Sequence, residues 1–298
     1  MKKALIFLLI VCIPLLSMAQ RWKSYRYDVV YGVGATNFLG DLGGANSIAT
    51  HVLKDLNWSS TRQALSIGMR YRLNEYMAVR SNLCYGRAYG DDKKTTEPFR
   101  QNRNLSFASN IYEFNTNFEI AFMKEQVGRR YRLRGVHGRR GFELHTYGFV
   151  GIGVFFFNPV TRDDAGSWIK LQPLHTEGQG LIPSRKEYNR VALSMPVGIG
   201  FKYGLNRRYS IGIQYGLHYT LTDYIDDVST TYVNPAILVN QANGELAANL
   251  ANRSLGLFAT STDPGQQRGD PKYNDAYMFA MVSLNYKLRT TRKNLPKF

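Results

Sequence analysis

The stretch LSFASNIYEFNTNFEIAF, residues 105–122, decides the fold. Its even positions Tyr112, Phe114, Phe118, Ile120 and Phe122 are apolar, interrupted by Thr116, while Glu113, Asn115, Asn117 and Glu119 occupy the odd ones. A period of two is a strand showing different chemistry on its two faces. Two glutamates and two asparagines on one face are too polar for a dry core, where each unpaired group would carry a desolvation penalty. They suit the polar lumen of a barrel whose aromatic face meets lipid.

Seven further segments carry the same alternation, near residues 25–38, 64–73, 77–89, 142–157, 191–204, 209–222 and 276–288. In 64–73, Leu65, Ile67, Met69, Tyr71 and Leu73 point outward and Arg70 and Arg72 inward; in 77–89, Arg80 and Asn82 point inward. The tight connections Asn74-Glu75 and Leu205-Asn206-Arg207-Arg208 join hairpins. The resulting expectation is all-β: an eight-stranded antiparallel transmembrane outer-membrane β-barrel with long extracellular loops and short periplasmic turns. An even strand count puts both termini on one side, which in such barrels is periplasmic. The long loops, about 39–62, 90–103, 158–189 and 223–275, then lie outside, and the 124–141 connection is long for a periplasmic turn.

The chain opens MKKALIFLLIVCIPLLSMAQ, a basic start, a short apolar run and a small-residue cleavage site. That is the pattern of a secretory signal peptide over residues 1–19, leaving residues 20–298 as a single barrel domain in the outer membrane. The apolar run is shorter than the roughly 20 residues of a spanning helix. Cys12 would leave with the signal and Cys84 remain, too few for an internal disulfide or a cysteine-based zinc site. Loss of Lys2 and Lys3 takes the formal charge from +16 to +14. For an exported chain that excess points to anionic lipid or an acidic protein rather than nucleic acid.

The charge is one-sided. Terminal segments and turns at the periplasmic end hold twenty Lys and Arg, among them Arg70, Arg72, Lys202 and Lys287, against Glu75, Glu125 and Glu143, a net of about +17. The densest run, KEQVGRRYRLRGVHGRRG, supplies Lys124, Arg129, Arg130, Arg132, Arg134, Arg139 and Arg140, joined by Arg207 and Arg208. Two readings stand: attraction to anionic headgroups of outer-membrane lipid, and a docking face for an acidic periplasmic partner. Inside, Glu113, Glu119, Arg70, Arg72 and Arg80 form a candidate lumen ion network, because small barrels are filled by their own side chains and unpaired charges there are costly.

No enzyme signature emerges. His51, His137, His145, His175 and His218 share no metal-ligand spacing, and a lipid-modifying His-Ser-acid set lacks an ordered nucleophile and base. Neither a cofactor nor a small-molecule substrate is called for, and the glycines of GVGATNFLGDLGG and VGIGVFF read as close-packing positions. In TDYIDDVSTTY, 222–232, Asp223, Asp226 and Asp227 enter the longest loop. They can order a loop rim by capping turns, pair with Arg268, or bind a hard cation such as Ca²⁺.

Several phrases together carry a resemblance: NFLGDLGG (37–44), RYRLNEYMAVRSNLCYG (70–86), RNLSFASNIYEF (103–114), LQPLHTEGQG (171–180), TDYIDDVSTTY, and RGD (268–270) followed by Asp275 and Tyr277. In that order they resemble the PorG family, the outer-membrane barrel component of the type IX secretion system, across nearly the whole chain. The resemblance implies a non-enzymatic protein associated with a periplasmic ring of PorK-like lipoprotein and PorN-like subunits, anchoring that ring. One departure is the end, KNLPKF, where the resemblance leads to a cysteine near Leu295. The alternative is a generic small OmpA- or OmpX-like structural or surface-binding barrel.

Overall fold

The computed structural model describes residues 25–42, 60–123, 144–206 and 208–290, and the backbone of 296 and 297. Eight long strands form the wall: β1 (Tyr27–Leu39), β2 (Arg62–Arg72), β3 (Met77–Asp91), β4 (Ser106–Ala121), β5 (Leu144–Phe156), β8 (Val191–Gly204), β9 (Tyr209–Thr220) and β10 (Ala276–Thr290). Each pairs antiparallel with its neighbour along the chain, and β1 pairs with β10 to close the ring. Two short strands, β6 (Pro159–Arg162) and β7 (Trp168–Lys170), make a hairpin that continues β4 beyond the end of β5. A final pair of residues, β11 (Pro296–Lys297), adds to the end of β10. Among the described residues no helix is long and apolar enough to cross a membrane; the crossing is made by strands.

The alternation positions everything else. Outward residues such as Val33, Leu65, Leu83, Phe114, Ile152 and Ile213 are about half exposed or more, a lipid-facing band. Inward residues are buried, polar toward the turn end and aromatic toward the loop end. Glycines make room for them: a Cβ on Gly200 would collide with the Tyr147 ring, and one on Gly153 with Glu113 and Ser194.

The two tight turns share one device. Asn74 Oδ1 accepts from the amides of Tyr76 and Met77, each at 2.8 Å, and Asn206 Oδ1 accepts from those of Arg208 and Tyr209 at the same distance. This is the Asx geometry that makes Asn a turn residue.

At the other end the long connections fold into a cap. It contains three short helices, α1 (Pro98–Arg103), α2 (Pro235–Val239) and α3 (Gly244–Ala251). Proline opens α1 and α2 at a position where its missing N–H costs nothing, and Glu97 and Asn234 cap the amides that follow. Leu105, Leu174, Ile225, Val228, Leu238 and Leu250 bury one continuous core with Phe38, Phe107, Phe155 and Tyr277 from the strands. The mouth is therefore sealed by packing.

Candidate functional site

The polar interior has two separate clusters. Near the turn end, Arg70 Nε donates to Glu119 Oε2 and its Nη1 lies 3.1 Å from Asp28 Oδ2. Arg72 Nη2 reaches the same Asp28 oxygen at 3.4 Å, Arg80 Nε lies 3.1 Å from Glu119 Oε1, and Lys202 Nζ lies 3.7 Å from Glu119 Oε2. The Lys202 ammonium also stands 4.7 Å from the centre of the Tyr147 ring, a cation–π contact. Of the five residues read as one lumen network, the structure brings Arg70, Arg72, Arg80 and Glu119 together and leaves Glu113 out. Asp28 and Lys202 are the missed members; both lie on the inward parity of their strands, the only sequence signal they carry.

Glu113 sits higher, with Ser194 donating to Oε1 at 2.6 Å and His218 Nδ1 at 2.9 Å from Oε2. This serine, histidine and carboxylate resemble a hydrolase triad in composition and not in geometry. A triad needs the hydroxyl on the imidazole, with the carboxylate behind the ring. Here hydroxyl and imidazole both engage the carboxylate, and all three are buried inside the barrel.

Between the clusters the lumen keeps a void of about 20 Å³, lined by Ser66, Arg80, Asn82, Asn115 and Gln214 among others. Such a space holds one water. The interior is a filled polar core.

In the cap, two charged hubs join the loops. Glu177 Oε1 accepts from Arg268 Nη1 at 2.8 Å and from the Ser229 amide, while Oε2 accepts from the Thr230 amide and hydroxyl. Arg103 grips Asp92 with two nitrogens and donates to the carbonyls of Arg268 and Asp41. The aspartates lie within this packing, at the loop end of the barrel. Asp226 accepts from the amides of Val228 and Leu42, and Asp227, at φ +65°, accepts from Thr176 and Tyr188. Arg268 donates to the Asp227 carbonyl at 2.7 Å and pairs with the Glu177 carboxylate, because the Asp227 carboxylate is already taken by two hydroxyls.

Burial raises these carboxyls: Asp227 to about 6, with Arg268 and its hydroxyl donors opposing, and Asp223 to about 8. Asp226 and Asp275 lie well above the usual range through burial and through repulsion within the group they form with Asp41 and Asp223. Among the described residues no set of three or more His, Cys, Asp or Glu has the arrangement of a metal site.

Of the predicted docking residues, Lys124, Arg129, Arg130, Arg132, Arg134, Arg139, Arg140 and Arg207 lie outside the described residues. Arg208 is exposed in the 205–208 turn. Four basic residues counted at that end, Arg70, Arg72, Lys202 and Lys287, are instead buried, so the exposed excess is smaller than the sequence count implies. The reason is the pleat: all four sit on inward positions.

A closed ring of eight antiparallel strands with a lipid-facing belt and a filled polar interior defines a small outer-membrane β-barrel. The chain belongs to the family described as outer membrane protein β-barrel domain, which matches residues 5–237. Among solved structures the chain is similar to Neisserial surface protein A, at 10% identity and TM-score 0.37, covering 88% of this chain and 96% of that one. The attachment invasion locus protein Ail of Yersinia pestis matches at 9% and 0.36, covering 89% and 99%. OprG of Pseudomonas aeruginosa matches at 9% and 0.36, covering 90% and 99%. No curated protein matches the chain.

Proposed function

We propose that this protein is a non-enzymatic outer-membrane component of type IX protein secretion that anchors the periplasmic ring through the basic turn end of its barrel. The observation that carries the reading is the filled lumen, with a void of about 20 Å³: a barrel packed with its own ion pairs and sealed by its loops works through its ends. The long basic 124–141 connection supplies one such end, and the ordered family resemblance supports acidic surfaces on PorK-like and PorN-like subunits as what it meets. Complementary charge of this kind speeds encounter and fixes orientation.

The test is crosslinking in native membranes with Arg129, Arg130, Arg132 and Arg134 all changed to Glu. Ring-subunit recovery is expected to fall about tenfold or more, the effect of losing roughly 1.4 kcal/mol or more, with the barrel still heat-modifiable on gels. Unchanged recovery refutes the role. Orientation is read separately: Tyr273, 75% exposed on the cap, replaced by Cys, should react with a membrane-impermeant thiol reagent on intact cells.

A second reading is favoured by one surface feature. Phe99, Leu255, Leu257 and Phe258 gather on the cap, 62, 55, 62 and 37% exposed, with the Phe99 and Phe258 rings stacked at 4.7 Å. A surface-binding barrel would use such a patch, and deleting residues 255–260 would abolish ligand capture with secretion intact.

A further inference from the structure

On the outer wall, strands β3 to β6 form a cleft of about 260 Å³ lined by Arg87, Ala108, Asn110, Tyr112, Phe156 and Asn158, with Val160 at its edge. Its position along the wall follows from the strand register. Leu83 pairs with Phe114 and Phe114 with Val154; one row higher Tyr85 pairs with Tyr112 and Tyr112 with Phe156. One row higher again, Arg87 lies opposite Asn110. Successive rows on one face are about 7 Å apart, so a hydrocarbon-facing row gives way to an aromatic girdle and then to a guanidinium. That is the order of chemistry across the boundary between membrane and water.

The cleft is basic as well as aromatic. Arg190 extends over the Phe156 ring at 5.6 Å and donates to Asn158 Oδ1 at 3.3 Å. Arg87 and Arg162 lie over the Trp168 ring at 5.2 and 4.7 Å. Among the described residues neither Arg87 nor Arg190 pairs with a carboxylate, and no acid lines the cleft. Arginines stacked on rings keep their donor edges directed outward, and a fork of N–H groups matches phosphate oxygens. A phosphate held here would place attached acyl chains against Leu83, Phe114 and Val154.

We propose that this cleft binds the phosphorylated sugar headgroup of an outer-leaflet glycolipid. Arg87 and Arg190 take the phosphate, the side-chain amides of Asn110 and Asn158 take sugar hydroxyls, and the aromatic row supports the chain roots. The assignment rests on the orientation proposed above, with the loop end outside, and is independent of ring docking.

The test uses the purified full chain in zwitterionic detergent, with bound lipid measured by native mass spectrometry. The probes are bisphosphorylated lipid A, its dephosphorylated form, phosphatidylglycerol and inorganic phosphate. The intact protein should retain bisphosphorylated lipid A, and R87A/R190A should bind it roughly tenfold or more weakly, as loss of charge-assisted hydrogen bonds requires. Should the double variant not fold, Asn110→Asp places a repelling charge in the cleft at an exposed position and should weaken binding similarly. Undiminished binding by these variants, or equal binding of the dephosphorylated lipid, overturns the proposal. Inorganic phosphate competing at the same concentration removes the lipid from it, and preference for phosphatidylglycerol overturns the outer-leaflet assignment. None of these results touches ring recovery.

Discussion

Glu119 is surrounded by the guanidinium groups of Arg70 and Arg80 and the ammonium of Lys202, all almost fully buried. Removing its charge leaves those cations facing one another in a medium that screens them poorly. Glu119→Gln is therefore expected to destabilise the barrel by about 3–5 kcal/mol, read as a lower urea midpoint or a lower temperature of gel-shift unfolding. Glu113→Gln should cost less, roughly 1–3 kcal/mol, because it changes one imidazole contact and one hydroxyl contact and Ser194 can turn its hydroxyl toward the new amide. Equal losses for the two variants would refute the separation of the clusters. The alternation along 105–122 makes both glutamates legible as inward residues, and it also hides their separation. Six residues along a strand span about 20 Å, too far for one network, while each partner is chosen by the stagger of strands on other sides of the barrel. Stagger has no local signature, so Asp28, Lys202 and the Glu113–His218 contact are not readable from the chain.

The wall elements were far more legible than the cap elements. The expected segment 191–204 coincides with β8, and the other strand ends differ by at most two residues, because a lipid-facing belt enforces strict alternation. The loops follow no such period; α1 to α3 and the β6–β7 hairpin are specified by caps, prolines and long-range contacts. The cap also has its own response to acid. Asp227 titrates near 6 against an ordinary 3.8, and Asp223 near 8. Each therefore holds its proton more tightly folded than unfolded. The stabilisation is complete below about pH 4 and is lost as pH rises through about 6 for Asp227 and about 8 for Asp223; Asp227 alone is worth on the order of 3 kcal/mol. Between pH 8 and pH 5, the protection of amides across 223–275, their exchange measured against the intrinsic rate at each pH, should rise as the solution is acidified, and falling protection in acid would contradict the burial of these carboxyls. Asp275→Asn keeps the acceptor for the Ile225 amide and should flatten that dependence. Arg103→Ala, which releases Asp41, Asp92 and the 268 carbonyl together, should open the loops to protease at every pH while the wall stays intact.

At the scale of the whole molecule the ring is closed, filled and covered. In a planar bilayer the purified chain should show no steady stepwise conductance, and a stable open level would mean that both the interior network and the cap give way. The strand order has a different consequence. Every wall strand pairs with its chain neighbour except at the seam between β1 and β10, where Tyr27 lies opposite Leu288 and Leu39 opposite Ala276. The two ends of the wall thus meet at the turn end, side by side. A circularly permuted wall, with Tyr27 and Thr290 joined by a short linker and new ends cut at Asn74-Glu75, has the same neighbours around the ring and should rebuild the same barrel. The seam is a place where the wall happens to begin, and the same ring can be written starting from another hairpin.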